Sequence, residues 1–294
     1  MPYTINGIGT WYYGRTRVHT LRDTCEFCNA FGDMSSYDTT HYFVFLFVPL
    51  IPIGKYRILK DCPHYRKHRV MPLKKWEKAK QDSIAEVYAK LRQKLDDPEA
   101  VKHAIGVAVG YQDEGLLLRV AEHLAGPMSG DADVQRALGA AFAYFAKSTE
   151  AERAYRAALQ LKEDPETRHY LSVEILKQGR PDEAEAILRP ILDQRNPEHI
   201  GLLMLLVEGY QAQANYPRAL ELLDACEQLN PALQSDKSWV KFRKSVQKHA
   251  QSGRPAPSTT LAQSKTAGYR EGGGGSRIAR WIGPAVAYLG GCST

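Results

Sequence analysis

The chain has 294 residues, of which 44% are hydrophobic and 24% are charged, a composition ordinary for a globular protein of two or three domains. Its formal net charge of +6 is modest for this length and does not by itself indicate a nucleic-acid partner. The five cysteines are odd in number and unevenly spaced, which argues against the disulfide framework of a secreted scaffold. Residues 1–6 lack the pattern of a signal peptide, and we therefore expect the main body to be cytoplasmic.

The N-terminal part of the chain is rich in Tyr, Phe, Val, Ile and Thr, which is typical of short β-strands. We predict three strands, at residues 7–14, 41–48 and 53–59. Pro49 and Pro52 are interpreted as the breaks between the second and the third of them.

The most apolar run of this part covers residues 42–53. It is far shorter than the roughly 20 residues that a membrane-spanning helix requires, and two prolines interrupt it. We therefore interpret it as a buried strand rather than as a membrane segment.

Three cysteines of the N-terminal part suggest a metal site. Cys25 and Cys28 form a C-x-x-C pair, and Cys62 follows the third predicted strand. Two C-x-x-C knuckles separated by strands typify a zinc ribbon, because each supplies two thiolates to one tetrahedral metal. In this chain Tyr65 stands where the second knuckle would have its second cysteine. Residues 5–70 nevertheless resemble the small bacterial-type zinc ribbons in the order of their strands and cysteines.

The resemblance implies a structural zinc held by the three cysteines, with His64 or His68 as candidate fourth ligand. His64 is only two residues beyond Cys62, an awkward reach, whereas His68 is six beyond and can fold back. One alternative is a ribbon that folds without metal and leaves the thiols free. Another is a thioredoxin-like redox pair, but residues 29–33 do not look like the helix that such a pair requires.

A basic stretch runs from Lys55 to Lys80, with Tyr56, Tyr65 and Trp76 interleaved. Such a patch can neutralise the phosphates of a nucleic acid or lie on an anionic membrane face. The plain alternative is the solvated start of a helix. Its cations are Lys55, Arg57, Lys60, Arg66, Lys67, Arg69, Lys74, Lys75, Lys78 and Lys80.

From Pro72 onward the sequence is rich in Ala and Leu and has helical periodicity. Proline is favoured at a helix start, so we predict a first helix over residues 73–95. Breakers then divide residues 98–251 into shorter helices of the size found in helical hairpins. These breakers are Asp97-Pro98, Gly126-Pro127, Gly130, Asp164-Pro165, Gly179-Arg180-Pro181, Asn196-Pro197 and Asn230-Pro231.

Within the helical region one spacing recurs three times. The recurring positions are Leu138, Phe142, Ala151, Tyr155 and Ala158; Leu171, Ile175, Ala184, Leu188 and Ile191; Leu206, Tyr210, Ala219, Leu223 and Cys226. We expect each alanine to allow close contact between two helices and the large residue one turn later to fill the groove. The residue after each leucine is Gly139, Ser172 or Val207. Pro165, Pro197 and Pro231 follow the three units and are expected to stop each second helix.

This pattern resembles the tetratricopeptide repeat, a helix–turn–helix unit of about 34 residues. The resemblance is good over residues 131–231 and weaker over residues 98–127, which we interpret as a degenerate or capping unit. It implies a superhelix whose concave face, lined by the first helix of each pair, holds a protein or peptide. An ordinary helical bundle is the alternative.

Taken together, we predict a mainly α chain, an α-solenoid preceded by a small β-rich zinc-ribbon-like domain. The predicted segments are 1–71 (zinc-ribbon-like), 72–97 (connecting helix), 98–251 (helical repeats), 252–276 (flexible linker) and 277–294 (short apolar tail). The tail is too short to span a bilayer, and we interpret it as an interfacial anchor, as the start of a membrane helix in a shortened chain, or as an unstructured end. The sequence contains none of the common catalytic motifs, so we expect a scaffold rather than an enzyme.

Overall fold

The computed structural model describes residues 3–65, 68–93, 97–123 and 130–252. These residues form two compact units. The first contains the described residues up to 93 together with Gly106–Asp113, and the second contains residues 97–105 and those from 114 onward. The predicted linker and apolar tail, from residue 253 to residue 294, lie outside the described residues, and the five predicted segment boundaries stay a prediction.

The first unit is built on an antiparallel sheet in which each strand pairs with the next along the chain. Its strands are β1 (Thr4–Ile5), β2 (Ile8–Thr24), β3 (Phe31–Phe45), β4 (Val48–Asp61) and β5 (Arg69–Pro72). The cysteine-containing turn between β2 and β3 therefore lies at one end of the sheet. The β3–β4 turn lies at the opposite end, beside the β1–β2 turn, where Phe47 N donates to Gly7 O at 3.1 Å.

Two expectations about the apolar run were wrong. The predicted strand at residues 41–48 crosses a turn at Leu46 and Phe47, and Pro49 and Pro52 lie inside β4 instead of ending it. Register shifts accompany the pairing of both prolines with β3, and such irregular positions tolerate a residue without an N–H. The run is also exposed rather than buried, since no element among the described residues packs over most of its side chains.

The buried residues of the first unit are spread along the sheet. Val44, near the β3–β4 turn, and Ile58, opposite Tyr37, are fully buried, and Arg57 next to Ile58 has only 4% of its surface exposed. Its Nη1 donates to Asp38 Oδ1 at 2.9 Å, and its Nη2 donates to Gln112 Oε1 at 2.5 Å. Because these partners lie on β3 and in Gly106–Asp113, one paired cation joins the sheet to that segment.

The rest of the described chain is helical. Its α-helices are α1 (Leu73–Gln93), α2 (Pro98–Gly110), α3 (Glu114–His123), α4 (Ala132–Tyr144), α5 (Ser148–Leu161), α6 (Pro165–Lys177), α7 (Pro181–Leu192), α8 (Ile200–Ala212), α9 (Tyr216–Leu229) and α10 (Lys237–Ser252). Two short 3₁₀ turns, Pro197–His199 and Pro231–Ser235, precede α8 and α10. Within the described ranges, no helix combines the length and apolarity that crossing a bilayer demands.

The helix starts follow from side-chain caps and proline. Asp131 caps α4 by accepting from Val134 N, and Asp164 caps α6 by accepting from Thr167 N. Pro165 lies in the first turn of α6, where its missing N–H costs nothing. The expectation that Pro165, Pro197 and Pro231 stop the preceding helices is corrected accordingly, since each of them opens the element that follows.

Candidate functional sites: the helical hairpins and the cysteine cluster

The α4–α5 hairpin closes through a glycine and an aromatic ring. A Cβ atom on Gly139 would lie 2.6 Å from Tyr155 Cδ1, so the ring occupies the space that a side chain would take. Tyr155 is almost fully buried, as are Ala151 and Ala158. Burial raises the pKa of the Tyr155 hydroxyl far above its usual range. The two helices therefore pack closely because Gly139 has no side chain and the Tyr155 ring fills the space beside it.

The next two hairpins place the same positions in their cores. Ala184 and Ala219 are fully buried, and so are the groove residues Leu188 and Leu223. Tyr210, on the first helix of the third hairpin, is 1% exposed. Leucine is smaller than the tyrosine of the first hairpin. This explains why larger residues, Ser172 and Val207, stand where the first hairpin has a glycine.

Charged side chains connect the second helices of successive hairpins. Glu152 of α5 accepts from Arg180, which precedes α7, and Glu185 of α7 accepts from Arg218 of α9. Burial would raise the pKa of Glu185, but hydrogen bonds from Arg218 and Tyr210 outweigh it and hold that pKa below its ordinary value. The two glutamates follow equivalent alanines, whereas Arg180 and Arg218 stand at different positions before Ala184 and Ala219, and we name these two ion pairs the ion-pair ladder.

The first helices, α4 and α6, carry a partly exposed mixture of charged and aromatic groups. Arg136 Nη1 lies 3.1 Å from Glu166 Oε2, and Tyr170 Oη donates to Glu166 Oε1 at 2.9 Å. The Tyr170 ring stacks on Tyr155, with ring centres 5.9 Å apart. This arrangement presents both signs of charge beside an aromatic surface, which suits a polypeptide better than a uniformly charged ligand.

The cysteine cluster lies at one end of the sheet. Cys25 and Cys28 belong to the β2–β3 turn and Cys62 follows β4, and their three sulfur atoms lie within 4.8 Å of one another. Cys28 Sγ and Cys62 Sγ are 3.7 Å apart. Two thiolates at about 2.3 Å from one tetrahedral zinc would be about 3.8 Å apart, so this trio fits a metal ion.

The backbone of the turn favours an ionised thiol at Cys25. Phe27 N donates to Cys25 Sγ at 3.4 Å, and the turn is closed by Cys25 N donating to Ala30 O. Burial would raise the pKa of Cys25, but the N–H donors of Phe27 and Cys28 outweigh it and lower that pKa. At Cys28 the Ala30 N–H acts in the lowering direction, yet burial and the neighbouring thiols prevail and raise the pKa.

The candidate histidines are not brought into the cysteine cluster. His68 Nδ1 lies 3.3 Å from Asp61 Oδ1, and its ring lies near that of Tyr12, with centres 6.4 Å apart. His64 lies beside Gly32 at the start of β3. In the described part of the chain, only the three cysteines form a group with metal-ligand spacing. Sequence reasoning missed the Asp61–His68 pair, because nothing in the spacing marks Asp61 as a partner.

Four of the eight described cations of the basic stretch form ion pairs inside the first unit. Arg57 is buried with Asp38, Lys60 pairs with Asp23, Arg69 with Glu26 and Lys80 with Asp113. Lys55, Lys74, Lys75 and Lys78 are exposed. Arg66 and Lys67 lie outside the described residues. Lys60 and Arg69 stay mostly exposed within their ion pairs, so the nucleic-acid alternative is weakened by these carboxylate partners rather than by burial.

Comparison with known proteins supports the repeat assignment. Residues 175–232, from within α6 to just beyond α9, match the tetratricopeptide repeat family. Among solved structures, YrrB, described as a tetratricopeptide-repeat protein with an unusual peptide-binding site, covers 57% of this chain and 92% of its own, at 13% identity and a TM-score of 0.39. A likeness at that level adds nothing to what the hairpins themselves show. Comparison with curated proteins gives no match. The helical part of the chain is therefore a tetratricopeptide-like array, with the family match itself limited to residues 175–232, and the β-rich part with its cysteine cluster is zinc-ribbon-like.

Proposed function

We propose that this protein is a non-catalytic scaffold that holds a protein or peptide on the concave face lined by the first helices of its repeats. The observation that carries the proposal is a difference in side-chain exposure between the first and the second helices of the hairpins. Ion pairs join successive hairpins on both sets, but Glu152 and Glu185 of the second helices are only 14% and 13% exposed, whereas Glu166 of α6 is 51% exposed. Mixed charge beside an aromatic surface suits a polypeptide segment.

Blocking that face tests the proposal. Ala140 and Val173 occupy the same position of successive first helices and are half-buried. Arginine at both positions is expected to abolish capture of the partners that the unchanged full-length chain captures, because two bulky cations would occupy the partner's place. Affinity capture from native cells, quantified by mass spectrometry, measures the loss.

The control places the same change on the second helices, as Ala157→Arg with Ala186→Arg. We expect this variant to capture the same partners as the unchanged chain, since those positions are not on the proposed face. Both variants should keep the helical circular-dichroism signal. A control that loses the partners as completely as the face variant would contradict the proposal.

We propose further that the three cysteines hold one structural zinc ion. The support is the 3.7 Å separation of two of the sulfurs and the N–H donors directed at Cys25. A zinc ion there would tie the β2–β3 turn to the end of β4, and three thiolates leave one coordination position to a further donor.

Metal analysis tests this second proposal. The purified chain is expected to carry about one equivalent of zinc, and Cys25→Ser to carry much less, because one thiolate is lost. Cys226→Ser is the matched control, since Cys226 is a buried free cysteine in α9, outside the cluster. Equal zinc content in Cys25→Ser and in the unchanged chain would remove the site.

A further inference from the structure

The end of the sheet opposite the cysteines is an exposed apolar surface. We name it the apolar hairpin end, and it comprises the β3–β4 turn with the adjoining parts of β1, β2, β3 and β4. Its exposed side chains are Ile5, Ile8, Trp11, Phe43, Phe45, Leu46, Phe47, Val48, Leu50, Ile51 and Ile53. Residues 42–54 contain no charged side chain. Such a contiguous apolar surface marks an interaction site rather than ordinary surface variation.

The turn itself carries side chains that the local geometry disfavours. Leu46 and Phe47 have φ angles of +48° and +61°, the left-handed region where a two-residue hairpin turn favours Asn and Gly. Both residues are more than 60% exposed, so packing against the described part of the chain does not explain them. Two hydrogen bonds hold the turn in place. Tyr13 Oη donates to Phe47 O, and Phe47 N donates to Gly7 O. The sequence therefore maintains large apolar groups at the tip against local preference.

Aromatic and basic residues surround the base of this surface. The sheet register places Trp11 opposite Tyr42, about four residues or 13 Å from the turn. Lys55 follows, opposite Thr40, and it is exposed. Pro72 lies opposite Tyr56, so α1 begins at nearly the same level with exposed Lys74 and Lys75. The surface thus has an apolar tip, then aromatic rings, then lysines. The hydrocarbon core, the interface and the anionic headgroups of a bilayer favour these three kinds of side chain in the same order.

The edge of β4 is poorly suited to pairing with a second protein strand. β5 pairs only with residues 56–59 of β4, so the apolar part of β4 has β3 as its one strand neighbour among the described residues. Pro49 and Pro52 lie in that part and remove two N–H donors. Prolines hinder pairing with another strand, which disfavours a second protein strand as the occupant of this edge.

We infer that the apolar hairpin end inserts into the surface of an anionic phospholipid bilayer, with Lys55, Lys74 and Lys75 at the headgroups. The depth of about 13 Å from the turn to Tyr42 is less than half of a hydrocarbon core about 30 Å thick, so the hairpin end enters one leaflet without spanning it. The inference goes beyond the scaffold and zinc proposals and does not depend on either.

Vesicle flotation of the full-length chain tests the inference. We expect the chain to float with vesicles of phosphatidylcholine mixed with phosphatidylglycerol, and more weakly with phosphatidylcholine alone, since the lysines add attraction to anionic lipid. Leu46→Asn with Phe47→Asn should lower the bound fraction roughly tenfold or more, because two apolar side chains leave the interface. Asparagine suits the left-handed turn, so this variant is expected to fold.

Two further variants test whether apolar residues elsewhere in the chain account for the flotation. Leu118→Asn with Leu161→Asn removes two exposed leucines from helices and should leave flotation unchanged. Trp281→Ser with Ile282→Ser and Leu289→Ser, in the C-terminal tail, should also leave flotation largely unchanged. Loss of flotation in this tail variant with full flotation of the turn variant would overturn the inference. So would the absence of flotation with both vesicles, or a dimer that ultracentrifugation shows to depend on Leu46 and Phe47.

Discussion

The repeat array and the β-rich unit reach stability by different routes. In the array each hairpin is closed by residues close in sequence, such as Gly139 against Tyr155, and the same contacts recur along the chain. In the β-rich unit the decisive contacts join residues far apart, such as Cys28 with Cys62 and Asp38 with Arg57. A repeat array is therefore readable from spacing, whereas the sheet depends on register and on what packs against it.

Removing metal should produce the sharpest contrast between the two regions. A strong chelator is expected to open the cysteine end of the sheet, because zinc contributes about 10 kcal/mol or more to small sites built around it. In hydrogen-exchange mass spectrometry, amides of residues 20–35 should lose protection while those of α4 to α9 keep theirs. A sheet that stays fully protected after its zinc is removed would contradict this expectation.

Breaking the buried ion pair of the β-rich unit should have the next largest effect. Asp38→Leu leaves Arg57 buried without its carboxylate and is expected to cost about 3–5 kcal/mol in the free energy of unfolding. Adding Arg57→Met should restore part of that loss, since no buried charge then lacks a partner. Urea unfolding of the two variants measures the difference, and a double variant less stable than the single one would refute the explanation.

A matched pair of glycine substitutions tests the packing of the array. Gly139→Ala is expected to cost about 1–3 kcal/mol, because the new methyl group meets the buried Tyr155 ring. Gly106→Ala, in α2, meets no atom within 4 Å and is expected to stabilise by about 0.5–1 kcal/mol through helix propensity. Thermal unfolding of both variants gives the sign of the stability change. Equal effects would show that contact with Tyr155 does not limit the size of the residue at position 139.

Acid should weaken the array modestly through the ion-pair ladder. The folded pKa of Glu185 is lowered, so its contribution is complete above the ordinary glutamate pKa and is lost as pH falls through the folded value. Glu185→Gln is therefore expected to be less stable than the unchanged chain near neutral pH, by about 1 kcal/mol, and to lose less on acidification. Glu122→Gln, an exposed change in α3, is the control. If stability falls with pH in parallel for all three chains, the ion-pair ladder does not account for the acid sensitivity of the array.

Much of the fold could be predicted because its signals are local. Identical spacing of Leu138, Ala151 and Tyr155 with their later counterparts predicted hairpins, and the family match and the observed helices confirm the repeat assignment. The β-rich character of the N-terminal part followed from composition and spaced cysteines. The pairing of His68 with Asp61 could not be predicted, because the two residues come close only once β4 and the segment after Cys62 are folded.

The amino-acid sequence by itself determined which residues repeat, where helices start and which thiols are available, because these depend on neighbours one or two turns away. Only the tertiary structure decided that the apolar run of residues 42–53 is exposed rather than buried. Its composition is the same in either case, and burial depends on whether another element covers the strand. The β3–β4 hairpin extends beyond β5 and α1, so those side chains lie where nothing in the described chain covers most of them.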